Sequence, residues 1–289
     1  MKIIFQFISI QAMFISKKIH LIFFLGILIL SISSIHCSTS ANNVIFDKAV
    51  KDTTNLRQSP TDSLSTQLSN KLCYRLPNFS LYPVKERRKA FFKFLSPIIK
   101  YEIQKLLNER SRIIRIFKKQ KTDSTLSKSE IEFLTEKSIE VRVKDFESTN
   151  LEQCQELLKK FDYIPESLCL VQASNESGNG TSRFARVANN IFGEWCFTPD
   201  CGIIPLRRIN GMEHEIKKYE TINASIRGYM INLNKRTPFK PLRDIRWQLR
   251  QAGEKITGLA LADGLYNYSA HGNDYINNIK KSIKNYNLE

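Results

Sequence analysis

Histidine is scarce in this chain of 289 residues: His20, His36, His214 and His271 are all there is, and the first two fall in the leader described below. A zinc centre built on several histidines is thereby excluded. Acidic residues are also in short supply, 28 Asp and Glu against 44 Lys and Arg, which leaves a formal charge of +16. Eleven glycines and nine prolines are too few for a collagen-like or linker-dominated chain. The hydrophobic share of 42% and charged share of 25% exclude wholesale disorder and a multi-span membrane protein. One or two globular domains follow from the length.

Long apolar runs are confined to one place. Leu21 to Ile35 carries no charge, follows Lys17 and Lys18, and leads into Ser38, Thr39, Ser40 and Ala41. Residues 1–40 therefore read as a secretory signal, to which the twelve residues before Met13 add nothing. The rival reading is an uncleaved membrane anchor, the stretch being extended by Ile19 and His20 towards the ~20 residues a span needs. Cys37 is a poor lipidation site, because His36 stands where a small residue is expected. Both readings export the chain to the periplasm or cell envelope. Nucleic acid is not a partner there, and cysteines can pair.

Cys196 and Cys201 stand five apart, with Pro199, Asp200 and Gly202 supplying turn chemistry, so a local disulfide is the preferred reading. The alternative, half of a metal site, lacks the second CxxC or HxxxH it would need. Cys73, Cys154 and Cys169 leave at least one free thiol unless Cys37 survives processing. Nothing in the pattern asks for a metal or another cofactor.

Residues 41–84, rich in Ser, Thr, Asn and Gln, read as a flexible tether. Charge is concentrated next. From Lys85 to Lys121 there are 13 basic residues and three acids, Glu86, Glu102 and Glu109, while Phe91, Leu95, Ile98, Ile99, Ile103 and Leu106 recur at helical spacing. With a second helix from Ser127 to Val143, residues 85–149 read as a basic helical arm. Its charges are either a solvated face or an attractor for an acidic polymer or a membrane surface. Residues 150–289 hold 19 basic and 15 acidic residues and are dominated by helical periodicity, with an irregular stretch from Cys196 to Tyr219 that fits a small hairpin or loop lobe.

The most informative stretch is Ile164 to Gly193. Pro165 suits a first helical turn, and Gly178 and Gly180 stop the helix just after Glu176. Glu176 thus lies at the C-terminal end of a largely apolar helix, where burial and the negative end of the helix dipole both disfavour its anion. A raised pKa is what a general acid needs. A solvated last-turn glutamate is the plain alternative.

Gln172, Ala173, Glu176, Ser177, Gly180 and Ser182, followed by Ala188 to Gly193, resemble the glucosaminidase domain of glycoside hydrolase family 73. The likeness runs on through Trp195 to Gly202, His214 and Glu215, Ser225 to Tyr229, and Gly258 to Tyr275, a longer pattern similar to the Bax-type branch of bacterial glucosaminidases. It implies a mainly α (α+β), lysozyme-like fold with a helical lobe and a small β or loop lobe. It also implies a β-N-acetylglucosaminidase that cleaves β-1,4 links between N-acetylglucosamine and N-acetylmuramic acid in peptidoglycan glycan strands. The family's catalytic glutamate falls on Glu176. Many members carry a second Glu in a Thr-x-Glu-Tyr element, where this chain has Ile204, Pro205, Leu206, Arg207 and Arg208; Glu215 is the nearest substitute, with Glu213 beside it, unless the substrate's own N-acetyl group assists. Tyr275 is assigned to the catalytic group. Gln172, Asn190, Phe192, Trp195 and Tyr268 are assigned to substrate binding, core packing being the alternative for the aromatics. Ser177 and Ser182 are expected to close turns. A lytic transglycosylase is the nearest rival, disfavoured because its Gly-Leu-Met-Gln run is missing. A non-catalytic murein-binding module is the other.

Overall fold

A computed structural model describes residues 73–122, 125–206, 208 and 211–289. The expected leader, residues 41–72 of the expected tether, and Arg207 lie outside the described residues. In chain order the helices are α1 (Val84–Lys121), α2 (Lys128–Glu140), α3 (Leu151–Lys160), α4 (Glu166–Ser177) and α5 (Arg183–Ala188). Three short strands follow, β1 (Trp195–Cys196), β2 (Gly202–Ile203) and β3 (Glu215–Lys217). Then come α6 (Ile222–Lys235), α7 (Lys240–Ala252), α8 (Gly258–Leu261) and α9 (Gly272–Asn285), with a 3-10 segment at Ala262–Tyr268.

Helix α4 is the core element. Ser167 to Ser174 are all buried, so the helix is enclosed on every side, as its mostly small and apolar residues allow. Helices α1, α8 and α9 pack against it. On α1 the buried positions Phe91, Leu95, Ile99, Leu106, Ile113 and Phe117 recur every three to four residues or multiples of that spacing, which makes a continuous apolar stripe. Two of its three glutamates also face inward: Glu102 accepts from Asn223 Nδ2 at 3.1 Å, and Glu109 pairs with Arg227 at 2.9 Å. The outer face is left to Lys89, Lys93, Lys100, Lys105, Arg115 and Lys118, all exposed. The segment expected as an arm is therefore packed into the same compact unit as the helices that follow it. No helix among the described residues is long and apolar enough to cross a membrane.

The end of the expected tether is also part of the packed body. The Cys73 N–H donates to Asn223 Oδ1 at 3.0 Å, the Cys73 carbonyl accepts from the Ile222 N–H at 2.8 Å, and Phe79 is buried. Composition alone hid this, because a few apolar anchors in a polar stretch suffice when the surface receiving them comes from distant helices.

A buried charge centre joins the helices beneath the core. Asp162, between α3 and α4, lies against Arg110 from α1 and Arg246 and Arg250 from α7; Arg250 Nη2 donates to its Oδ1 at 2.7 Å. Burial alone would raise the Asp162 carboxyl; the guanidinium groups of Arg110, Arg250 and Arg246 outweigh it and hold it well below the usual carboxylate range. The surplus positive charge is absorbed by backbone oxygens. Arg246 Nη2 donates to the Lys159 and Lys160 carbonyls at 3.1 Å, and Arg110 Nη1 to the Phe161 carbonyl at 2.8 Å. These lie at the C-terminal end of α3, where the dipole favours cations.

The small lobe is a three-stranded antiparallel sheet in the order β1-β3-β2, with Trp195 and Ile203 both opposite Ile216. A disulfide joins Cys196 to Cys201 across the loop from β1 to β2. At Gly202 an added Cβ would come within 2.0 Å of the Ile216 carbonyl oxygen, so only glycine lets β2 close onto β3. The whole is mainly α and lysozyme-like, a helical lobe facing a small sheet.

Candidate active site

A cleft of about 720 Å³ is lined by Glu176, Tyr268 and Phe239 from the helical lobe and its connecting segments, and by Glu194, Trp195 and Phe197 from the small lobe. Glu176 reaches it because α4 stops abruptly. Gly178 takes the left-handed conformation (φ 57°) and its N–H caps the Ser174 carbonyl. Ser177 Oγ then donates to the Ala173 carbonyl at 2.6 Å and accepts from the Gly180 N–H at 2.7 Å, so the turn is tied back onto the helix. Ser182 caps α5 by accepting from Ala185 N–H at 3.2 Å, the turn-closing role expected of both serines.

Glu176 keeps solvent contact within the cleft, yet the protein walls around it push its carboxyl above the usual range; a hydrogen bond from Tyr275 opposes this in part. That bond ends a directed chain. Tyr229 Oη donates to Gln172 Oε1, Gln172 Nε2 donates to Tyr275 Oη at 2.9 Å, and Tyr275 Oη donates to Glu176 Oε1 at 3.3 Å. Because the amide of Gln172 is donor on one side and acceptor on the other, it fixes which way the Tyr275 hydroxyl points. Burial, and then Glu176, raise the Tyr275 phenol above its usual value, so it stays a donor.

The aromatics divide by layer. Tyr268 stacks on Tyr275 with centroids 5.3 Å apart, and Phe192 stacks on Tyr229 at 3.9 Å, so these pairs buttress the hydrogen-bonded chain from either side. Trp195 and Phe197 project differently: they are 51% and 72% exposed, and Trp195 is backed by His214 at 3.9 Å. They form an apolar platform on the small-lobe wall.

Three of the expected site residues are placed elsewhere. Gln172 is fully buried and touches Tyr229 and Tyr275, so it reaches the cleft only through the tyrosine. Asn190 is 1% exposed, and its amide is consumed by backbone: Nδ2 donates to the Glu194 and Lys217 carbonyls, and Oδ1 accepts from Glu194 N–H. It clips the cleft loop to β3. Glu215 is turned into the disulfide loop, where its carboxylate accepts from Asp200 N–H at 3.1 Å and Gly202 N–H at 2.7 Å, so it is not the second carboxylate of the cleft. Cys196, Cys201 and Glu215 do lie together, but the two sulfurs are bonded to each other. Glu213 has no place in the cleft lining. Cys73, Cys154 and Cys169 are free, and burial raises all three thiols, Cys154 to about 12, so none is a ready nucleophile.

Sequence reasoning missed Glu194. Its Oε2 accepts from Tyr219 Oη, and burial raises its carboxyl despite that bond and the nearby Lys217 and Lys235. A lone glutamate in an irregular loop carries no periodic signal; only its position directly after the motif ending at Gly193 pointed to it.

The glucosaminidase family model, described as mannosyl-glycoprotein endo-beta-N-acetylglucosaminidase, matches residues 151–288. Protein bax of Escherichia coli (strain K12) is 30% identical over 203 residues, which is 70% of this chain and 71% of that protein. No solved structure matches the chain. With α4 carrying its glutamate to the cleft in the stretch where the family model matches, the chain belongs to the glucosaminidase family, in its Bax-type branch, and is a glycosidase.

Proposed function

We propose that the chain is an exported peptidoglycan hydrolase of the β-N-acetylglucosaminidase type, with Glu176 as general acid. One observation carries the assignment: a carboxyl held above its ordinary pKa stands at a helix end in the cleft, with Tyr275 donating to one oxygen and the other free for a proton. The protonated oxygen delivers its proton to the glycosidic oxygen as the bond from C1 breaks. Glu215 being engaged elsewhere and Glu194 being buried and bonded to Tyr219, the substrate's N-acetyl oxygen is the group that closes on C1. The Glu176 carboxylate then takes a proton from the water that opens this intermediate, which leaves a reducing sugar and restores the acid. Trp195 and Phe197 offer faces for sugar rings, while Phe192, Tyr268 and Gln172 hold Tyr275 and the cleft floor. Export is supported by the Cys196–Cys201 disulfide. The exposed lysines and arginines of α1 supply an attractive field for the acidic polymer or for an anionic membrane surface.

The test is product mass on purified peptidoglycan. Release of reducing N-acetylglucosamine ends by the native chain and none by Glu176→Gln is expected. Anhydro ends would make the enzyme a lytic transglycosylase, and binding without any cleavage would make it a murein-binding module.

A further inference from the structure

The cleft does not end at the sugar platform. Arg142 and Lys235 line it and also line a second groove of about 560 Å³, whose walls include Lys144 and Lys160, so the two depressions adjoin. Arg236 adds a further cation on the cleft side. Some cations of the fold are closely matched: Lys137 meets Glu109, Glu136 and Glu140, and Arg227 meets Glu109 and Glu140. The wall shared by the two depressions differs. Among the described residues Arg142, Lys144, Lys235 and Arg236 make no ion pair, while Lys160 is taken up by Glu156 and the Arg142 carbonyl. Glu152 and Glu156 also border the groove, Glu156 being the partner of Lys160.

This convergence of like charge is held at a cost. Lys235 is half-buried; that burial, and then Arg142, depress its ammonium below the usual lysine range, with Lys217 and Arg236 adding to the effect and only Glu194 opposing it. Arg142 itself sits at φ 57° in the turn that closes α2, where Val143 N–H bonds the Ser138 carbonyl. Cations without acidic partners, gathered on a wall shared by two adjoining depressions, are suited to an anionic ligand.

We propose that this basic groove is an anionic subsite that takes carboxylate groups of the peptide side chains carried by alternate sugars of the glycan. The proposal rests on the peptidoglycan reading above. A glycan strand laid along the cleft at Glu176 presents its substituents sideways, and the adjoining groove has room for such a branch. An ammonium and a guanidinium on the shared wall offer charge-assisted bonds that neither Trp195 nor Phe197 can make. The enzyme would then prefer glycan that still bears its peptides over stripped glycan.

The test uses soluble peptide-bearing glycan fragments, intact or with their carboxylates converted to amides, titrated calorimetrically into the Glu176→Gln chain so that nothing is turned over. Amidation should weaken binding about tenfold, equivalent to one or two such contacts. The gap should close when Lys235→Gln is added, and narrow when Arg142→Asn is added instead; asparagine tolerates the left-handed backbone, so that variant removes charge with the fold intact. Lys235→Gln should also raise the melting temperature, since it relieves repulsion that a merely structural lysine would not create. Equal binding of intact and amidated fragments, or a gap that survives both substitutions, overturns the subsite. Cleavage of the same fragments by the native chain is read separately: preference for intact fragments with no reducing ends released would leave the subsite standing and sink the hydrolase.

Discussion

At the scale of single residues, Glu176 has two opposing consequences. Its carboxyl is raised in the fold, so the stability it lends is present below its ordinary value, about pH 4.3, and is lost as pH rises through the folded value. Once ionised above that folded value, it is a burden. Glu176→Gln should therefore melt higher than the native chain above that value and lose that advantage below about pH 4, while turnover falls by at least about a hundredfold. Tyr275→Phe separates positioning from packing. The lost hydrogen bond is the one that lowers the Glu176 carboxyl, so the alkaline limb of kcat/KM should move to higher pH as the rate drops; an unmoved limb would leave Tyr275 with a packing role only. Glu176 was legible from sequence because its cues are local: the helix period, the glycines behind it and the motif around it. Gln172, Asn190 and Glu215 were not, because each side chain turns towards partners 13 to 103 residues away or braces a loop whose path depends on the sheet. Motif membership marked them as important without saying which way they point.

At the scale of elements, the small lobe depends on a few clamps, since strands of two and three residues bury little apolar surface beyond Ile216. The Cys196–Cys201 bond, the two backbone bonds to Glu215 and the Asn190 clip hold it together. The helices meet this lobe through α5, whose Phe184 carbonyl accepts from the Asn190 N–H, while the disulfide and the Glu215 bonds lie within the lobe itself. Replacing both cysteines with serine should therefore raise KM severalfold by loosening the Trp195 and Phe197 wall, with a smaller effect on kcat and little on helix content; loss of the far-ultraviolet helical signal would contradict this separation. The disulfide was readable from Pro199, Asp200 and Gly202, because a short loop closes by its own chemistry. The pairing order β1-β3-β2 was not, for with such short strands no alternation is long enough to register.

At the scale of the whole molecule, the matched region 151–288 shares its core with α1. Helix α1 covers α4 with its apolar stripe and brings Arg110 to Asp162, so a fragment of residues 145–289 should fail to fold, seen as lost cooperative melting. The basic face of α1 was visible in the sequence; its buried face looked like an arm because periodicity reveals a stripe but not the partner it lies against. Asp162→Asn in the full chain should cost about 3–5 kcal/mol, the range for stripping one partner from a buried ionic cluster. Since its carboxyl is depressed, the stability it provides is present above pH ~3.9 and drains away as pH falls through the lower folded value, so acid melting of the native chain should approach that of the variant. The Asp162 cluster also sets a timetable. Its arginines lie at positions 110, 246 and 250, so a chain emerging from its amino end has only Arg110 for that carboxylate until nearly all of α7 has appeared. Completion of this buried centre is thereby deferred to the last third of the chain, and with it the stability the three arginines jointly give.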